Sequence, residues 1–236
     1  IDRLDMDAER DGVMEAMYLR EVVDDYSAEG HRLGCSGIDG ITIAPPIGED
    51  GESDRIYVAY GVYGDTSRED NDHQVILCYP VSDFAAFGKP LNQHDMHKSG
   101  PAATERKYFV YTGNTRYGIQ NIEYDPHTET ILAAVYPGAK EFFPNYPMYF
   151  IDRRTPPVTG ELRGVGCDGE MLSLPLPTGG SREEICGSRF PLGSTGMASL
   201  GDGLYYFSES FRDERGFGGV IRLYRIDGDG FVPVAE

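Results

Sequence analysis

Several stretches of this chain carry residues whose types and spacing suit chemistry. In "GDTSREDNDH" (64–73) five acidic or amide side chains and His73 fall within ten positions. Oxygen donors of that kind suit calcium, but the run does not follow the alternating Asp/Asn loop that wraps the ion, so it reads as a solvated surface loop. "NQHDMHKSG" (92–100) places His94 and His97 around Asp95. Imidazoles with a carboxylate suit a transition metal, yet no third histidine lies near, and no metal site is assigned. His73, at the end of the 64–73 run, could serve as a general acid or base near neutral pH. Glycoside cleavage needs two carboxyl groups about 5–9 Å apart, and Asp39, Asp65 and Glu209 are the acids available for such a pair. No Gly-x-Ser-x-Gly nucleophile turn occurs, and "GSTG" (193–196) reads as turn chemistry. Catalytic residues and cofactor both stay unassigned.

The bulk properties narrow the classes. The chain has 236 residues, 40% hydrophobic and 25% charged, the balance of a globular protein with a sizeable core. A net charge of −18 argues against nucleic acid, since phosphate backbones are bound by clustered Lys and Arg. Apolar runs such as "IYVAYGVY" (56–63) fall far short of the roughly 20 residues that span a bilayer, so no membrane partner is expected. The chain opens at Ile1 without a charged-then-apolar leader, which suggests a processed or partial start and leaves cytoplasmic or secreted location open. Cys35, Cys78, Cys167 and Cys186 lack zinc spacing; a bridge between Cys167 and Cys186 is sterically conceivable.

The elements that must position these groups announce themselves by repetition. "SGIDGITIAP" (36–45), "YGIQNIEYDP" (117–126) and "TGMASLGDGL" (195–204) share a glycine, Gly37, Gly118 or Gly196, followed by the same alternation. After each anchor come a short strand, a turn, a strand rich in Tyr and Ala, a loop, and a third strand ending near Asp. The first set is 37–44, 55–63 and 73–81; the second 118–125, 130–136 and 147–153; the third 196–202, 204–210 and 220–227. Each is rich in Ile, Val, Tyr and Phe and bounded by Gly, Pro, Asp or Asn, the strand signature. Fourth strands are expected at 106–113, within 161–176 and at 231–236. Residues 1–32 stand apart, and the apolar spacing of "DGVMEAMYLREVVDDY" (11–26) fits a helix at least as well as a strand.

The fold expected is all-β, and four antiparallel strands per repeated unit is the pattern of a β-propeller blade. The chain resembles a β-propeller over residues 33–236, and the turn "YDPHTETIL" resembles the Asp-Pro-x-Thr turn of many blades; no subfamily signature is present. Three blades are visible, about 33–113, 114–192 and 193–236, with a β-sandwich as the alternative architecture. Closed propellers have at least about four blades, so residues 1–32, a second copy of the chain or further blades would have to close the ring.

That resemblance implies a binding module with a small-molecule or carbohydrate-like ligand at the channel mouth. The innermost strands would present Asp39, Gln120 and Ala198 there, with Arg116, Glu209 and the loop-flanking Tyr60 and Tyr136 completing the site. Alternatives are a hydrolase or lyase using channel-mouth carboxylates on a carbohydrate-like substrate, and a protein-interaction scaffold. The chain has no Trp, the usual sugar-stacking platform, which counts against the glycosidase.

Overall fold

The computed structural model describes residues 14–27, 38–51, 53–60, 62, 64–92, 95–175 and 185–235. A short strand β1 (Glu15–Ala16) and helix α1 (Arg20–Ser27) precede β2 (Ile38–Ala44), β3 (Arg55–Tyr60) and β4 (His73–Pro80). Helix α2 (Val81–Phe87), β5 (Lys89–Pro90) and β6 (Arg106–Tyr111) follow, then β7 (Thr115–Asp125), β8 (Thr130–Pro137) and β9 (Met148–Asp152). The chain continues through β10 (Val158–Glu161), β11 (Asp168–Met171), β12 (Met197–Ser199), β13 (Leu204–Asp213), β14 (Gly216–Asp227) and β15 (Gly230–Pro233). The protein is mostly β, in sheets dominated by antiparallel pairs.

The first sheet runs β10-β11-β6-β4-β3-β2, the second β7-β8-β9 and the third β12-β13-β14-β15, while among the described residues β1 pairs with β5 alone. The first and third each contain a four-strand meander where the spacing predicts one. In the second the segment expected to supply a fourth strand goes elsewhere: hairpin β10–β11 crosses over and adds β11 in parallel to β6. The outer edge of β9 is met instead by the bridge Met148–Ser188.

Alternation decides how the sheets stack. On β8, Ile131, Ala133 and Val135 face the first sheet, joining Tyr57, Ile76, Tyr108, Tyr149 and Ile151 in one buried cluster. The intervening Leu132 and Ala134, with Met148 and Phe150, face the third sheet and meet Tyr205, Phe207 and Phe231. One strand with both faces buried explains the unbroken apolar run "TILAAVY". β4 is buried almost end to end for the same reason, since its other face packs Val75, Leu77 and Tyr79 against Leu19 and Val22 of the N-terminal segment. Residues 20–27 are therefore helical, as the 11–26 spacing allows, and α1 with the residues just before it covers β3, β4 and β6 of the first sheet. Among the described residues no helix is long and apolar enough to cross a membrane.

The first strands of the three sheets lie side by side, β2 and β12 each packing on β7. A Cβ on Gly40 would stand 2.9 Å from the Ile122 amide nitrogen, so only glycine permits so close an approach of β2 to β7. Asp125 ties the second sheet to the third. Its carboxylate accepts from the His127 and Thr128 amides, the Thr128 and Ser199 hydroxyls, and the buried Tyr205 hydroxyl.

Candidate functional site

The residues two places after Gly37 and Gly118 are brought together. In β2, Ile38 pairs with Tyr60 and Gly40 with Ala59, so Asp39 is an extra residue without a partner across the ladder. In β7, Ile119 pairs with Val135 and Asn121 with Ala134, leaving Gln120 in the same situation. Each is the added residue of a β-bulge, a distortion that re-aims a side chain out of the regular pleat. The two bulges sit at matching positions of adjacent strands, and Gln120 Nε2 reaches Asp39 Oδ2 at 3.5 Å. In the third unit Ala198 pairs regularly with Tyr206, and no bulge forms.

A second irregularity in β7 lies just ahead. The ladder is interrupted between Thr115 and Ile119, Gly118 takes φ +82°, and the Thr115 hydroxyl accepts from the Gly118 amide at 2.7 Å. Glycine alone adopts that backbone without a steric penalty. The detour turns Arg116 and Tyr117 to solvent between buried Thr115 and Gly118. Tyr117 meets Tyr136 edge to face with ring centroids 6.0 Å apart, and both rings are more than one-third exposed. The Tyr117 carbonyl accepts from Gln120 Nε2 at 3.1 Å, which joins the aromatic pair to the amide and carboxylate. No ion-pair partner for Arg116 occurs among the described residues.

Loops flank this surface on a rigid base. Lys140 Nζ is nearly buried and donates to the Arg68 carbonyl, Asn71 Oδ1 and Asp72 Oδ1, pinning the loop before β4 to the loop after β8. Gly64 donates its amide to the Arg116 carbonyl at 3.2 Å. Burial raises the Asp39 pKa, and the hydrogen bond from Gln120 opposes part of that rise. The assembly offers a carboxylate, an amide, a guanidinium and an exposed aromatic pair: acceptors, donors and an apolar ring face within one surface.

Four of the six residues expected at the site, Asp39, Arg116, Gln120 and Tyr136, fall on this surface. The other two do not. Tyr60 is fully buried at the end of β3, where its hydroxyl donates to Asp25 of α1 beside Lys107. Glu209 lies exposed on β13 and meets Arg222 Nε at 3.4 Å. Asp65 accepts from the Ser67 amide and hydroxyl, and those bonds lower its pKa. His73 is buried against the Tyr111 ring, and among the described residues its ring nitrogens have no hydrogen-bond partner. His97 bonds the Lys89 carbonyl and the Ser99 amide, while His94 lies outside the described residues. Among the described residues no three His, Cys, Asp or Glu gather as a metal site. Cys167 is an exposed free thiol, so the bridge to Cys186 is not formed; Cys35 lies outside the described residues.

Sequence reasoning missed the two bulges and the pairing of the Tyr117 ring with Tyr136. The signals present were Gly40 and Gly118, both within strands, since glycine within a strand often marks a bulge or a close backbone approach. The chain matches no family model, no curated protein and no solved structure.

Proposed function

We propose that the protein is a binding module, built as an arc of β-propeller blades, whose surface around Asp39 and Gln120 takes a polyhydroxylated, carbohydrate-like small molecule. The observation that carries this reading is the pair of matched bulges, which delivers Asp39 and Gln120 to each other from two sheets. A carboxylate and an amide side by side bind vicinal hydroxyls from both the acceptor and the donor side. The exposed Tyr117–Tyr136 pair supplies the flat apolar surface that the C–H face of a sugar ring needs. Three sheets stacked face to face with their first strands adjacent support the blade reading.

A binding reading is favoured over the hydrolytic one because Glu209, the intended second carboxylate, is engaged with Arg222 on the third sheet. The test is thermal-shift screening against neutral mono- and disaccharides and polyols, followed by calorimetry of the best binder. Asp39→Ala and Gln120→Ala should each weaken binding by roughly tenfold, the worth of one net hydrogen bond, at unchanged melting temperature. Full binding in the double variant, or no stabilisation by any sugar in the panel, defeats the reading.

A further inference from the structure

Among the described residues, the two ends of the stack carry unmatched apolar faces, each beside the first strand of its sheet. At one end, Ile38, Ile41 and Ile43 of β2 are exposed and floor a groove of about 620 Å³ with Ile56, Val58 and Phe84. The N-terminal segment already packs on β3, β4 and β6 through Leu19 and Val22, so among the described residues the bare area is the β2 side of that face. At the other end, Phe207 of β13 faces inward, and alternation turns Tyr206 and its cross-strand neighbours Ala198 and Leu223 outward. Tyr206 is 45% exposed, and Ile221 and Val232 also stand bare on the third sheet.

We propose that these two faces are the halves of one interface, and that two copies of the chain associate head to tail, the groove beside β2 of each receiving the outer face of the third sheet of the other. This rests on the blade reading above. Both sheet-to-sheet interfaces inside the chain are already of this kind, one apolar face against the next, and the proposed contact continues that series with a third. Charge complementarity points the same way. Among the described residues Glu15 is the one charged side chain lining the groove, while the face it would meet carries Arg225, which pairs across the ladder with Val232. Three sheets from each copy give a ring of six, within the range of closed propellers, and a two-fold axis lets both head-to-tail contacts form at once.

Sedimentation of the full chain at physiological salt, where its net charge of −18 is screened, tests this. Wild type should sediment as a two-chain species. Ile41→Arg and Tyr206→Asp, each at an exposed position, should sediment as single chains that still unfold cooperatively. Mixed together they should recover the two-chain species, because each retains the end the other has lost and the introduced basic and acidic side chains then face each other. A wild type that stays single-chain at about tenfold the concentrations used for binding overturns the proposal. So do a dimer untouched by both substitutions, a mixture that fails to reassociate, and growth beyond two chains, which would mean that the contact does not close. Sugar binding that depends on Asp39 is read on the same single-chain variants, so failure of the dimer and failure of the site reading are told apart.

Discussion

His73 shows how a residue with catalytic credentials can serve packing instead. It starts β4, is 2% exposed, and burial, with a contribution from nearby Arg163, pushes its pKa down to about 4. The unfolded chain would titrate this ring at its ordinary 6.5, so between pH 6.5 and 4 the unfolded state binds the extra proton and stability falls as pH falls. Integrated over that window, the loss is on the order of 3 kcal/mol. His73→Phe should remove about one proton from the pH dependence of unfolding there, measured as denaturant midpoints of variant and wild type at matched pH; parallel curves would refute it. Asp125 is the opposite case, a buried carboxylate kept charged. Burial raises its pKa, and the bonds from Thr128, Tyr205, Ser199 and the His127 amide outweigh that rise, leaving it below the usual value. Asp125→Ala strands those donors and should cost at least about 3 kcal/mol in urea unfolding. A loss under about 1 kcal/mol would show that the carboxylate does not join the sheets.

Strands reward the attention that single residues invite. Gly40 lies against the Ile122 backbone, which cannot swing aside as a flexible side chain would. Gly40→Val should therefore lower stability by about 1–3 kcal/mol and separate Asp39 from Gln120, reducing sugar binding in step. If the variant melts like wild type, the close stacking of β2 on β7 is wrong. Strand identity was legible from composition because Ile, Val and Tyr between Gly, Pro and Asp leave little else to form. Bulges were not legible, because an added residue is visible only once the partner strand fixes the count on the other side. Asp39 and Gln120 were therefore found as variable positions in a repeat, while the reason they meet came from register. Tyr60 misled for a related reason: proximity to a loop does not tell which face of a strand is up, and α1 covers the one it occupies.

At the scale of the whole molecule, the repeat marks where three meanders begin and misplaces one hairpin. β10–β11 follows the second sheet in the chain and completes the first, with the Leu172 amide donating to the Phe109 carbonyl. Nothing local to residues 158–171 encodes that destination; it depends on β6 offering an unpaired edge. A Cβ on Gly169 would come within 2.6 Å of the Phe109 ring, so Gly169→Val should displace the hairpin. Amide exchange across 106–111 should then speed up by at least about tenfold, with the β7–β9 amides little changed; equal protection in both forms would count against it.

The crossover hairpin also sets an order in time. During synthesis the first sheet emerges with β6 complete but one side open, and the strand that closes it arrives some 60 residues later. At ordinary elongation speeds that interval is about 3–12 seconds. For those seconds an apolar sheet with a bare edge is exposed on the ribosome, which makes the nascent chain, rather than the finished protein, the form most in need of a chaperone.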